Sequence, residues 1–390
     1  MSADRGLGSV QFVLFLLFFV GVGDSQMLSP TLPLIAADLG VGIGAAGSWL
    51  GTFYALAAGL AALTTGPLSD RFGRKFFLRI GLTLVALAGL VVPLAGGLEQ
   101  LAAVRLVAGF GGGILSTCSI AYAGDFIRYQ RRGRAMGVIQ SAYFAAFVVT
   151  IPVASFLAGN WGWHAAYLAT GVLAVLAWPV LQWWLPDDRL RPHAQGHFLD
   201  LVRLRQHRRI YAAVAGSFFV SAGFVGFLQY FGSFLAEQFS LSVSRVGIVF
   251  LVVGVASVVG SVLGGALSDK LGKRPTVVGC SAVLAVLLVA TARSESLIGV
   301  FGFVLAAAVA YAFRQGPLQA LVTGLVPTGV RGAFVAMRNT MSQFGVAFGS
   351  MLCGELYTLG GFSAVGWASG VLTLCAALCM TLVREPGDNP

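Results

Sequence analysis

Four ionisable side chains sit where an apolar sequence offers them no water. Asp24 interrupts the apolar run 11–35, and Arg105, Arg314 and Arg338 fall within the runs 98–124, 296–325 and 332–357. A charge near the centre of a bilayer costs about 2.5–3.5 kcal/mol on insertion scales, so such groups are rarely incidental. Asp24 is the only acid deep inside a run; Asp38, Glu99, Glu237, Glu295 and Glu355 lie near run ends. Its carboxyl suits proton exchange or contact with a cationic solute group. The alternative is a structural acid, hydrogen-bonded or paired with an arginine. Arg105 is a candidate partner, since a buried guanidinium needs a carboxylate or carbonyl oxygens.

The residues around these charges extend the polar set. Ser25 and Gln26 follow Asp24, and Pro30 and Pro33 are expected to bend the outer part of that helix. Arg314 precedes Gln315-Gly316-Pro317, a helix-breaking sequence of the kind that lines transporter cavities. Arg338 opens Arg338-Asn339-Thr340, with Gln343 further along the run. Arg314 has a structural ion pair as its alternative, and Arg338 has snorkelling to the nearer headgroups. If both face a cavity, three fixed cations oppose one acid, which suits an anionic or zwitterionic solute. Tyr54, Gln140, Tyr143, Gln229 and Tyr230 are further lining candidates, with packing as the alternative for the aromatic ones. Trp161, Trp163, Trp183 and Trp184 read as interfacial anchors.

The elements that must hold these groups are membrane helices. Apolar residues make up 57% of the 390 residues and charged residues only 10%, against about 25% charged in soluble domains. Twelve runs of about 20 residues, enough to cross a hydrocarbon layer as helix, fall at 11–35, 43–67, 76–96, 98–124, 135–157, 164–185, 210–236, 244–267, 276–293, 296–325, 332–357 and 362–383. They are continuous rather than alternating, which argues against a β-barrel. The first is too long for a cleaved signal peptide and carries Asp24. With the N-terminus in the cytoplasm, twenty bases fall in cytoplasmic segments and two, Arg245 and Arg293, outside. That bias places both termini in the cytoplasm of a bacterial inner membrane. The net charge of +10 thus faces lipid headgroups and predicts no nucleic-acid partner. The five cysteines and four histidines have no metal-ligand spacing, so neither metal nor cofactor is expected. No nucleophile motif or paired acids within one run suggests an enzyme.

The chain also repeats itself. Gly66-Pro67-Leu68-Ser69-Asp70-Arg71-Phe72-Gly73-Arg74-Lys75 returns 199 positions later as Gly265-Ala266-Leu267-Ser268-Asp269-Lys270-Leu271-Gly272-Lys273-Arg274. Asp38 with Glu237 and Gly133 with Gly332 keep the offset. Two six-run units are expected, 1–186 and 210–390, joined by a polar, basic cytoplasmic linker at 187–209. Residues 198–204 of the linker have the pattern of an amphipathic surface helix.

The Gly-x-Leu-x-Asp-Arg-x-Gly-Arg-Lys stretch, its weaker copy and the six-plus-six plan resemble the major facilitator superfamily. Leu101 through Gly113, an arginine followed by glycines, resembles the family's fourth-span motif. The resemblance implies an all-α fold of two pseudo-symmetric six-helix bundles working by alternating access, with a small-molecule substrate and protons as coupling ion. It implies that Asp70, Arg71, Arg74 and Asp269 form a cytoplasmic latch, with Gly66 and Gly73 allowing close packing and a tight turn. It implies that Arg105 couples proton movement to conformational change. The expected activity is proton-coupled efflux of drugs or metabolites; the alternative is carriage of an organic anion or zwitterion, in either direction, by Arg314 and Arg338. Drug–proton antiporters of the family carry a glycine-rich signature in span 5. Here Val149-Thr150-Ile151-Pro152-Val153-Ala154 keeps the proline and lacks the glycines. One twelve-span chain encloses a site, so a monomer is expected. A non-transporting receptor would be expected to carry a signalling extension, and the sequence has none.

Overall fold

The computed structural model describes residues 2–127, 129–187, 208–326 and 331–383. The predicted linker helix at 198–204 lies outside the described residues. So do the side chains of Asp269 and Arg331.

The described chain is all helix. In order the helices are α1 (Ser2–Gln26), α2 (Leu28–Asp38), α3 (Ile43–Phe72), α4 (Arg74–Val91), α5 (Leu98–Phe126), α6 (Tyr129–Ala145), α7 (Ile151–Trp161) and α8 (Trp163–Trp184). There follow α9 (Arg208–Phe239), α10 (Val243–Leu271), α11 (Lys273–Arg293), α12 (Leu297–Phe313), α13 (Gln315–Gly324) and α14 (Arg331–Thr381). Eleven segments are long and apolar enough to cross a membrane. The last is two helices joined where Gly360 and Gly361 leave helical geometry, giving twelve spans.

Three interruptions sit just before prolines. Pro30 has no N–H for the Gln26 carbonyl, and the first span breaks at Met27. Pro317 does the same to Phe313, and the tenth span breaks at Arg314. Upstream of Pro152 the fifth span widens into a π-helical turn at Ala146–Thr150. The breaks place Gln26 and Arg314 at the ends of half-helices rather than in continuous rods.

The repeated motif ends equivalent helices. Gly73 closes α3 with φ 95° and Gly272 closes α10 with φ 87°, a region that favours glycine. Gly66 has open space where a side chain would stand, so the close packing expected of it does not occur in this conformation.

One face of the molecule, at the Gly73 and Gly272 turns, is basic; the opposite face carries the turns at Gly40, Gly162 and Gly361. The apolar core differs between them. Toward the opposite face one cluster runs through both halves, from Met27, Leu32 and Leu50 to Phe227, Phe231 and Tyr311. Toward the basic face it divides in two. One cluster holds Leu14, Leu82 and Leu181, the other Ile210, Leu321 and Phe334.

Backbone-close contacts seal the opposite face. A Cβ on Gly44 would fall 2.3 Å from the Gly354 carbonyl oxygen, and one on Gly247 would fall 2.5 Å from Ser155 Cβ. Ser29 Oγ donates to the Leu228 carbonyl at 2.5 Å, across 199 positions, so a residue touches its own repeat copy. Trp163 departs from its expected role as an interfacial anchor. It is 3% exposed, and its indole N–H donates to Asp38 Oδ2 at 3.0 Å. The exposed acid at the end of α2 takes the indole N–H while the ring stays inside the bundle.

Candidate functional site

Glycines bring the first charged pair together. A Cβ on Gly109 would fall 2.1 Å from the Tyr54 carbonyl oxygen, and one on Gly113 2.5 Å from that of Ala58. Helices α3 and α5 therefore touch backbone to backbone. Gly21 meets Gly112 in the same way, at 3.2 Å, which draws α1 onto α5.

That approach lets Arg105 on α5 reach Asp24 on α1. Arg105 Nη1 donates to Asp24 Oδ2 at 2.7 Å, and Nη2 to the Asp24 carbonyl oxygen at 3.4 Å. Both side chains are almost fully buried. The guanidinium lies over the Tyr54 ring at 4.4 Å and near that of Tyr167 at 5.3 Å, where the ring faces attract a cation. Tyr54 is fixed in turn by donating to the Gly21 carbonyl at 2.8 Å. Arg105 Nε keeps no partner.

A cavity of about 270 Å³ lies between the halves. Of the predicted lining residues, Gln26, Tyr54, Arg105, Gln140, Tyr143 and Gln229 line it. Asp24, Tyr230, Arg314 and Arg338 do not. Among the described residues no carboxylate lines it. Its walls are mostly apolar, with Phe18, Val22, Leu28, Val225 and Leu228 among them, set with amides and hydroxyls; Tyr311, Asn339, Ser342 and Gln343 face in from the second half. The Tyr143 hydroxyl meets Tyr311 and Gln26 there.

Gln229 belongs to the seam between the halves as much as to the cavity, and Tyr230 belongs to the seam alone. Gln229 Nε2 donates to the Gly47 carbonyl at 2.8 Å, and Ser350 Oγ donates to Gln229 Oε1 at 2.7 Å. Tyr230 donates to the Ser350 carbonyl at 2.8 Å.

The second-half arginines are differently placed. Arg314 is 2% exposed. Among the described residues its guanidinium has one hydrogen bond, from Nη1 to Ser281 Oγ at 3.2 Å, and lies 5.3 Å from the Tyr311 ring. Arg338 is half-buried and lies within the field of Arg314. Neither pairs with a carboxylate among the described residues.

On the basic face Arg74 gathers three partners. Nη2 donates to Asp70 Oδ1 at 2.5 Å, Nε to Asp125 Oδ2 at 2.5 Å and Nη1 to Ser69 Oγ at 2.9 Å. Arg71 instead lies 5.5 Å from the Phe72 ring. Asp125 and Tyr311 were not singled out from the sequence, whereas Asn339 and Gln343 belong to the polar set noted beside Arg338. Asp125 sits among bases at a span end, where it reads as an ordinary loop acid. Tyr311 had a usable signal, lying three residues before Arg314 on the same helix face.

Two pseudo-equivalent helix bundles around a central cavity are the architecture of a membrane transporter. Residues 14–234 and 213–390 each match the Major Facilitator Superfamily, and the chain belongs to that family. The MFS-type transporter YceJ of Bacillus subtilis is 24% identical over 382 residues, covering 96% of this chain and 95% of its own. The cis,cis-muconate transport protein of Acinetobacter baylyi is 22% identical over 401 residues, covering 96% and 94%. A crystal structure of a D-xylose-proton symporter has a TM-score of 0.81 at 20% identity, covering 98% of this chain and 99% of its own.

Proposed function

We propose that this transporter moves a small polar organic solute by alternating access, coupled to protons at Asp24. The observation that carries the reading is the Asp24–Arg105 pair, whose cationic member also lines the cavity. The charged and titratable groups facing Asp24 are Arg105, Tyr54 and Tyr167. A proton on Asp24 Oδ2 removes the charge that holds Arg105 Nη1. The guanidinium is then free to serve a solute in the cavity, so proton and solute favour each other's binding. A relative that moves cis,cis-muconate and a structural neighbour that moves D-xylose with protons are consistent with polar cargo and proton coupling.

Of the two expected substrate classes, lipophilic cations are the less well supported. A cation site needs a free acid on the wall; Asp24 is tied to Arg105 and lies behind it. The positive-inside bias orients the basic face toward the cytoplasm. With the core continuous only toward the opposite face, the conformation is then the inward-facing one.

The test is solute accumulation in proteoliposomes under an imposed pH gradient, with cis,cis-muconate and D-xylose as probes. Asp24→Asn is expected to keep solute exchange and lose gradient-driven accumulation. Undiminished accumulation by that variant would falsify the coupling role.

A further inference from the structure

Among the described residues, two cations in the second half have no acid to answer them. Arg314 is almost fully buried, its Nε has no hydrogen-bond partner, and its one bond goes to a neutral hydroxyl. Its charged neighbour is Arg338, a like charge. The almost fully buried guanidinium of Arg314 and the half-buried one of Arg338 repel each other, and the first has lost its hydration. Such an arrangement is retained where an anion visits it.

Their placement says where that anion would lie. Tyr311 stands three residues before Arg314 on α12, and Ser342 four after Arg338 on α14, each pair on a common helix face. Tyr311 and Ser342 both line the cavity. Each arginine thus sits about one turn behind the wall, displaced toward the basic face. There the core has divided, so a solute arriving from that side meets Arg338, the more exposed of the two, before it meets the polar wall.

We propose that Arg314 and Arg338 form a carboxylate subsite at the basic-face end of the cavity, and that the transported solute is a small organic anion. The inference rests on the reading of the protein as a transporter of a small polar solute and specifies its cargo. The guanidinium forks hold the carboxylate oxygens, which they match in shape and charge. Tyr311 stands between Arg314 and the cavity, so its ring turns aside as the anion seats. The rest of the solute lies on the amides of Asn339 and Gln343 and the hydroxyl of Ser342.

The experiment is titration calorimetry on the purified full chain. The probes are benzoate, succinate and cis,cis-muconate, with benzamide and D-xylose as neutral controls and chloride and inorganic phosphate as simple anions. At least one carboxylate is expected to bind where benzamide does not. Arg314→Gln and Arg338→Gln are each expected to weaken it by about 10- to 100-fold, the loss of a charge-assisted hydrogen bond. Arg314→Lys should recover part of the affinity. The proposal is overturned if no carboxylate binds, if benzamide binds as well, if chloride or phosphate binds in place of carboxylates, or if Arg338→Gln binds like wild type. That last variant and Arg314→Lys decide the matter should Arg314→Gln fail to fold. Proton-driven flux indifferent to Arg338→Gln would remove this subsite and leave the transport reading standing. Arginine-dependent binding without any flux would do the reverse.

Discussion

The two halves solve the burial of charge in opposite ways. In the first, Arg105 meets Asp24 at 2.7 Å inside a cage of two tyrosines. In the second, Arg314 has one serine and a like-charged neighbour. The repeat offers no counterpart for either arrangement: the positions 199 residues after Asp24 and Arg105 are Gly223 and Val304. A duplicated scaffold therefore carries unduplicated chemistry. The shared glycines turn the helices and the shared charges of the repeated motif lie at the basic face, while the charges within the bundles are unshared.

That contrast can be broken by substitution. The largest effect is expected from Asp24→Asn, which strands a buried guanidinium at a cost of about 3–5 kcal/mol. Adding Arg105→Gln should return most of it, read as thermal unfolding in detergent through a double-mutant cycle. Next comes the seam. A Cβ on Gly354 would fall 1.9 Å from Ser48 Oγ and 2.5 Å from the Gly44 carbonyl oxygen. Gly354→Ala should disfavour the present conformation by about 1–3 kcal/mol. The readout is faster maleimide labelling of Ser350→Cys, which the seam buries, in an otherwise cysteine-free background, and unchanged labelling would count against the seam. Arg314→Gln should show the opposite sign from Asp24→Asn, leaving the ligand-free protein as stable or more stable by about 1–2 kcal/mol, since it removes an unpaired buried charge. A large drop in melting temperature would mean that Arg314 is paired after all. The smallest stability change, under about 1 kcal/mol, is expected for Asp70→Asn, because the Asp70–Arg74 pair is partly exposed and Arg74 keeps Asp125. If Asp70 also serves as a latch, transport will fall in that variant with melting unaltered.

The spans, the break near Pro317 and the turn at Gly73 were legible in the sequence, and so was Arg105 as a candidate partner for Asp24, though not their proximity. Hydrophobic length, proline, glycine and the expense of an unpaired buried charge are local or nearly local constraints. The remainder needed three dimensions. Nothing near Gln229 says that its amide will bind the Gly47 carbonyl rather than a solute, because that depends on how two bundles dock. Tyr230 looked like a lining residue and proved to be a seam residue for the same reason. Arg314 and Arg338 fell on the right helices, yet which way each faces is set by small rotations that periodicity does not record.

The glycine-and-serine seam has a kinetic consequence. Gly44, Gly354, Ser48, Gly247 and Ser155 meet with little or no side chain to immobilise. Freezing a long side chain costs up to about 2 kcal/mol of rotamer entropy, and freezing glycine's costs none. Parting the seam and rejoining it therefore exchanges contact for hydration with little ordering to undo or repeat. A gate of interlocked leucines would hold harder and cycle more slowly; this one is built for turnover.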